Sequence, residues 1–155
     1  MSSEISGEIE RARLFAYKLM NYRPRSESEI KMRLARKGYS NEVVDTVINY
    51  LMQLGYIDDK NFARYWIAVR AGKKGSYGLR QELLNKGIDV AIIDELLAEL
   101  GAADEFEAAM KLAQKKIALR GGACPYPILA GYLKRKGFSY SVIRNVVEAL
   151  ACSEV

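Results

Sequence analysis

Apolar residues recur along this chain at helical spacing, and the whole pattern returns three times. The copies align on Gly38, Gly87 and Gly137, which are separated by 49 and 50 residues. A leucine stands four positions before each glycine, a lysine directly before it, and a wide apolar stripe of the kind seen on a packed helix follows. This registered similarity predicts an internal repeat of about 50 residues.

Each of these glycines is predicted to end a helix. The basic residues before it suit the negative end of a helix dipole, and glycine adopts the left-handed cap conformation without a steric penalty. We name the three sites the Lys-Gly ends: Lys37-Gly38, Lys86-Gly87 and Lys136-Gly137. We expect positive φ at all three glycines.

The periodicity as a whole predicts an all-α protein. No stretch alternates between apolar and polar residues as a strand bounded by turns would. We expect nine helices in three tandem three-helix repeats that stack side by side as an elongated helical array. The predicted boundaries are a flexible N-terminus at residues 1–9 and repeats at residues 10–55, 56–101 and 102–155.

Several polar residues fit helix starts. Ser26 and Glu29 have the spacing of a capping box, in which each side chain bonds the backbone of the other residue. Asp58 suits an N-cap and Asp59 the first turn after it. Trp66 is interpreted as a core anchor. The glycine-rich residues 71–78 are interpreted as the most flexible stretch of the chain. They are not a phosphate loop, because the preceding strand and the Gly-Lys-Ser/Thr ending are both missing.

Composition narrows the possible functions. The chain has no histidine, which removes the commonest general base and transition-metal ligand, so we expect no enzyme, no cofactor and no metal. Cys124 and Cys152 form no metal or redox motif, which favours a reducing, cytoplasmic location. We expect a monomer with no signal peptide and no membrane span.

The net charge of +5 is concentrated in the first and third repeats, and it is compatible with a polyanionic partner. Stacking in register would align the connector and helix-end cations as a basic strip. The alternative is that they are solvated residues and helix-dipole partners. The candidate partner-binding or DNA-binding residues are Arg23, Arg25, Arg33, Arg36, Lys37, Lys73, Lys74, Arg80, Lys86, Arg120, Lys134, Arg135 and Lys136.

These residues resemble those of the RecX regulatory proteins of bacterial recombination. The most specific part is Gly-Tyr-Ile-Asp-Asp at residues 55–59, followed by Phe62-Ala63 and Trp66. The resemblance extends over nearly the whole chain. It also includes Arg23, Arg25-Ser26, Glu29, Leu34, Lys37-Gly38-Tyr39, Arg80-Gln81-Glu82-Leu83, Lys86-Gly87-Ile88 and residues 132–139. The chain departs from the pattern at Ser76, at Gly78 and in the connector at residues 121–127.

The resemblance implies a curved, all-helical array that modulates the RecA recombinase. Such proteins lie in the groove of the RecA filament, bridge neighbouring protomers and limit its activities in homologous recombination, DNA repair and the SOS response. The implied partner is therefore the RecA filament, with weak, sequence-independent DNA contact as a further possibility.

The residues also permit two other interpretations of function. A helix-turn-helix reading would place the third helix of a repeat in the DNA major groove, but that helix has no lysine or arginine in repeat one and is acidic in repeat two. An enzyme could use Asp58 and Asp59, but adjacent helical residues point apart and capping explains both. The remaining alternative is a sequence-independent DNA-binding protein.

Overall fold

The protein was analysed as a computed structural model, which describes residues 2–153 and the side chains of residues 3–152. Over this part of the chain the regular structure is entirely helical, in nine helices. The predicted all-α helical array is confirmed. The helices are α1 (Ser2–Tyr22), α2 (Glu27–Lys37), α3 (Asn41–Gln53), α4 (Asp59–Arg70), α5 (Ser76–Asn85), α6 (Val90–Ala98), α7 (Ala102–Leu119), α8 (Tyr126–Arg135) and α9 (Tyr140–Ser153).

The chain divides into two compact units. Unit 1 comprises Met1–Tyr65 and Leu84–Asp89, and unit 2 comprises Trp66–Leu83 and Val90–Val155. The middle stretch of the sequence therefore contributes to both units. The division into three repeats remains a prediction about how the sequence is organised.

Unit 1 contains a three-helix core in which α1, α2 and α3 pack against one another. Ala12 and Ala16 of α1 are fully buried beside Ile30 and Leu34 of α2 and Val47 of α3. The two alanines are one helical turn apart, and their small side chains leave room for the branched residues opposite. The apolar stripe seen in the sequence is thus the packed face.

Unit 2 contains a matching core built from α7, α8 and α9. Ala109 and Ala113 of α7 are fully buried, as are Leu133 of α8 and Val146 of α9. Leu133 stands four residues before its glycine, as Leu34 does in unit 1, so the repeat places equivalent residues in equivalent cores.

The Lys-Gly ends adopt the predicted conformation. The φ angles are 103° at Gly38, 79° at Gly87 and 91° at Gly137. Gly38 is the C-cap of α2, and its N–H donates to the carbonyl of Ala35. The helices α5 and α8 end two residues before their glycines. The prediction of positive φ at all three helix ends is confirmed.

Two predicted helix starts are wrong. Helix α1 begins at Ser2 rather than near Ile9, because Ile5 and Ile9 extend its partly buried face by one turn. Helix α5 begins at Ser76, so the last three residues of the stretch predicted to be flexible, residues 76–78, are helical. A contact distant in sequence fixes that start, since the Ser76 N–H donates to Glu105 of α7 over 2.7 Å. Among the helices that the structure describes, none has the length and apolarity needed to cross a membrane.

Candidate polyanion-binding interface

Three predicted site residues converge on one buried carboxylate in unit 1. Arg23 Nη2 lies 2.7 Å from Glu29 Oε2, Arg25 Nη1 lies 3.6 Å from the same oxygen, and Lys86 Nζ lies 3.6 Å from Oε1. We name Arg23, Arg25, Glu29 and Lys86 the Glu29 cluster. The capping box is therefore only half formed: Ser26 Oγ accepts the Glu29 N–H, but the Glu29 side chain is held by cations instead.

Burial gives the Glu29 cluster a structural role. The Glu29 side chain is 10% exposed and that of Arg25 is 9% exposed. Buried charges are tolerated when opposite charges and hydrogen bonds compensate them. Arg25 adds a hydrogen bond from Nε to the carbonyl of Leu19. These cations stabilise the start of α2 rather than extending freely into solvent.

A second compensated carboxylate lies in unit 2. Glu82 accepts hydrogen bonds from Trp66 Nε1 at 2.8 Å and from Arg70 Nη2 at 2.7 Å. Partial burial acts to raise the pKa of the Glu82 carboxyl, but the hydrogen bonds from Arg70 and Trp66 outweigh it and lower that pKa below its ordinary value. Trp66 is half-buried, and its indole N–H anchors this polar contact. Arg80, another predicted site residue, forms an ion pair with Asp94.

Unit 2 also contains a depression of about 410 Å³ whose lining is dominated by cations. We name it the lysine groove. Its walls come from the end of α4, the connector after it, the last turns of α7 and the end of α8. The lining residues are Arg70, Lys73, Lys74, Leu112, Lys115, Lys116, Leu119, Tyr132 and Lys136.

Tyr132 organises part of the lysine groove. The Lys116 ammonium lies 5.0 Å from the centre of the Tyr132 ring, and that of Lys136 lies 5.6 Å from it. An aromatic face attracts cations, so one ring holds two like charges near each other. In the described part of the chain, no carboxylate lies within ion-pairing distance of Lys73, Lys115, Lys116 or Lys136.

This arrangement is suited to phosphate groups. Several lysines around one depression create a positive potential that a polyanion lowers, and long flexible side chains can follow a phosphate backbone without reading its bases. Arg70 is already held by Glu82, and Lys74 interacts electrostatically with that same carboxylate. The four other lysines supply most of the available charge.

The remaining predicted site residues are on exposed surfaces. Arg33, Arg36 and Lys37 are exposed at the end of α2, and the Lys37 ammonium lies 5.3 Å from the centre of the Phe15 ring. Lys134 and Arg135 are exposed at the end of α8. Arg120, the C-cap of α7, is also exposed.

Sequence reasoning missed three cations of the lysine groove, Arg70, Lys115 and Lys116. They lie outside the Lys-Gly ends and the connectors on which the candidate set was based. A local signal was present, because Lys115-Lys116 stands between Leu112 and Leu119 in the sequence of α7. Only the fold shows that α7 places Lys115 and Lys116 in the same groove as residues 73–74, in the connector after α4, and the end of α8.

The fold and these surfaces define an all-α helical-repeat protein with a cation-lined groove. Family models identify it further. The model for the first three-helix domain of RecX matches residues 12–51, and the model for the second matches residues 58–97. The chain belongs to the RecX family of regulatory proteins.

Relatives agree with this assignment. The chain is 32% identical to the regulatory protein RecX of Mycolicibacterium vanbaalenii, with 94% of this chain and 85% of the relative covered. It is 34% identical to that of Chlorobium phaeobacteroides, with 87% and 90% covered. The crystal structure of RecX from Lactobacillus salivarius has the same fold at 24% identity, with a TM-score of 0.83 over 95% of this chain and 99% of that one.

Proposed function

We propose that this protein is a non-enzymatic regulator that binds the RecA nucleoprotein filament and inhibits its recombinase and ATPase activities. It would act in the cytoplasm as a monomer without a cofactor, in homologous recombination, DNA repair and the SOS response. The observation that carries the proposal is the lysine groove, in a chain that belongs to a family of regulatory proteins.

A nucleoprotein filament suits these surfaces better than a small ligand does. It presents phosphates at regular spacing together with protein side chains, and the chain offers separate cation groups at the end of α2, at the end of α8 and in the lysine groove. Weak contacts made at several sites on one filament add up through effective concentration. No single deep pocket is needed for such binding.

The direct test reverses the exposed helix-end charges. Arg36→Glu with Lys37→Glu, and Lys134→Glu with Lys136→Glu, are expected to weaken inhibition of RecA ATPase and strand exchange on single-stranded DNA. The loss should be greater at low salt, because exposed charges are less screened there. Circular dichroism checks that the helices remain.

A matched control is Lys111→Glu on α7. Its side chain is 72% exposed, it pairs with Glu107 one turn earlier, and it does not line the lysine groove. We expect this variant to inhibit like the parent. If both double variants also stay folded and inhibit like the parent at low and high salt, the helix-end cations are only a solvated surface. If Lys115→Glu with Lys116→Glu in the lysine groove then also inhibits like the parent, the proposal fails.

The cations at and before the second Lys-Gly end are expected to contribute less to RecA binding than those of the first and third. Arg80 is engaged by Asp94, and Lys86 belongs to the Glu29 cluster. Charge reversal at these two positions would disturb internal ion pairs first. Any effect on RecA should therefore be compared with the loss of thermal stability.

Direct, sequence-independent binding to DNA is the alternative function, and the lysine groove favours it. It predicts binding to single-stranded DNA in the absence of RecA, with affinity that falls steeply as salt rises. Tight, sequence-selective binding to duplex DNA at physiological salt would instead support the helix-turn-helix reading. Fluorescence anisotropy with oligonucleotides of several sequences separates these outcomes.

A further inference from the structure

The second and third Lys-Gly ends each receive the start of a helix from the preceding repeat. Ser26 Oγ donates to the carbonyl of Lys86 over 2.8 Å. In the same way, the Gly75 N–H donates to the carbonyl of Lys136 over 2.9 Å. Ser26 and Gly75 both stand twelve positions before the glycine of their own repeat. The donor changes from hydroxyl to amide, but the acceptor is the lysine carbonyl in both cases.

A second bond repeats one residue later. The Glu27 N–H donates to Asp59 Oδ1 over 2.8 Å, and the Ser76 N–H donates to Glu105 Oε1 over 2.7 Å. Each carboxylate belongs to the first turns of the next repeat's first helix. The first-turn N–H groups of a helix have no partner within that helix, so both junctions satisfy groups that would otherwise need water.

At both junctions the glycine of the Lys-Gly end lies close against the start of the helix from the preceding repeat. A Cβ atom built on Gly87 would lie 2.5 Å from Ser28 Cβ, and one built on Gly137 would lie 2.1 Å from the nitrogen of Gly78. A Cβ on Gly75 would lie 2.6 Å from the carbonyl oxygen of Gly137. A larger residue in place of Gly87 or Gly137 would therefore displace the helix start that packs against it.

The first Lys-Gly end has the same backbone conformation and a different environment. Gly38 has φ of 103°, yet a Cβ atom built on it would meet no described atom within 4 Å. Its lysine, Lys37, is exposed. The carbonyls of this pair correspond to those that accept hydrogen bonds at the other two ends.

We propose that the Lys37-Gly38 end is a docking site for the first turn of a helix from another protein. The partner helix would present a serine or glycine with a free hydroxyl or N–H donor, because those are the groups that fill the same site twice within this chain. This inference is independent of whether the partner is RecA.

A second copy of this chain is barred from the site by two prolines. Pro125 and Pro127 stand twelve and ten positions before Gly137, where repeat two has Gly75 and Tyr77. Gly75 and Tyr77 donate their N–H groups to the third Lys-Gly end, at 2.9 and 3.0 Å. Proline has no N–H to donate. The start of α8 therefore cannot repeat the junction on the Lys37-Gly38 end of a second copy.

The test restores the missing donors. A donor variant carries Pro125→Gly, Pro127→Tyr and Ile128→Gly, which copies repeat two at the equivalent positions of α8. Sedimentation velocity should show that this variant associates head to tail as concentration rises, while the unmodified chain stays monomeric. Adding Gly38→Val to the donor variant should weaken the association by at least about tenfold.

A mixing experiment isolates the contact. The donor variant with Gly38→Val has a donor end and a blocked acceptor, whereas the unmodified chain has only the acceptor, so together they should form a 1:1 complex. Pro125→Ser alone serves as a milder donor that mimics Ser26, and circular dichroism monitors the helices. The inference is overturned if the folded donors remain monomeric and form no complex, or if their association is unaffected by Gly38→Val.

Discussion

The Glu29 cluster in unit 1 and the lysine groove in unit 2 are both built from lysines and arginines gathered by helix ends and connectors. They differ in one carboxylate. In the first, Glu29 is buried among its cations. In the second, Glu82 pairs with Arg70 of the groove and also accepts a hydrogen bond from Trp66, and it does not line the groove. The first cluster is therefore closed to an outside anion, and the second keeps several ammonium groups available.

This difference shows why a count of basic residues is a poor guide to a binding surface. Arg23 and Lys73 occupy comparable connectors in the repeat, and both were predicted as site residues. Arg23 lies 2.7 Å from a buried carboxylate, while Lys73 lines an open depression. Whether a cation stabilises the fold or meets a partner depends on what the fold places beside it.

The largest expected effect comes from removing the carboxylate of the Glu29 cluster. Glu29→Ala should lower the free energy of unfolding by about 3 kcal/mol, because it leaves the buried Arg25 charge without its partner. Urea denaturation measures the loss. Glu27→Ala is the matched control two residues earlier on α2, because its pair with Lys31 is partly exposed and contributes only a few tenths of a kcal/mol, roughly. Equal losses of unfolding free energy in the two variants would show that the buried Glu29 cluster stabilises the fold no more than an exposed ion pair does.

The next largest loss of stability is expected from a substitution at Gly87, directly after Lys86 of the Glu29 cluster. Gly87→Val should cost about 2 kcal/mol, because it strains a left-handed residue and pushes against Ser28 beside Lys86. Gly38→Val has the same left-handed strain without the steric contact and should cost about 1 kcal/mol. Thermal unfolding of both variants gives the comparison. A Gly38→Val loss as large as that of Gly87→Val would show that packing contributes nothing.

The lysine groove should respond in binding rather than in stability. Lys115→Glu with Lys116→Glu is expected to reduce affinity for single-stranded DNA by about tenfold and to reduce the salt dependence by roughly one to two phosphate contacts. Anisotropy titrations at several salt concentrations measure both. Lys111→Glu, one turn before Lys115, should leave binding unchanged. If only the net charge mattered, both variants would instead bind single-stranded DNA more weakly, each in proportion to the charge that it has lost.

The smallest effect concerns pH. The lowered pKa of Glu82 means that its ionised form stabilises the folded state above the unfolded-state pKa, and this contribution is lost as pH falls through the lowered value. Glu82→Gln should therefore reduce the stability difference between neutrality and about pH 3 by about 1 kcal/mol. Burial raises the pKa of Asp59, but Asp59 titrates alike in both proteins and cancels. Identical pH profiles would show that the bonds from Arg70 and Trp66 do not stabilise the carboxylate.

Local patterns predicted most of the helices because each depends on nearby residues. Asp58 accepts a hydrogen bond from the N–H of Asn61, as expected of an N-cap. The errors arose where a distant residue decides the outcome. Ser76 begins a helix because Glu105 accepts its N–H, and no pattern within residues 71–78 carries that information.

By itself the sequence determined the left-handed conformation of Gly38, Gly87 and Gly137, the apolar stripes that form the cores and the all-α class, because those features follow from side-chain spacing and backbone sterics over a few turns. Only the tertiary structure decided that Arg23, Arg25 and Lys86 share one carboxylate while Lys115 and Lys116 face an open groove. It also decided that Gly87 and Gly137 are covered and Gly38 is not. The physical reason is that electrostatic compensation and close packing depend on distances between residues far apart in the chain, which a local pattern does not specify.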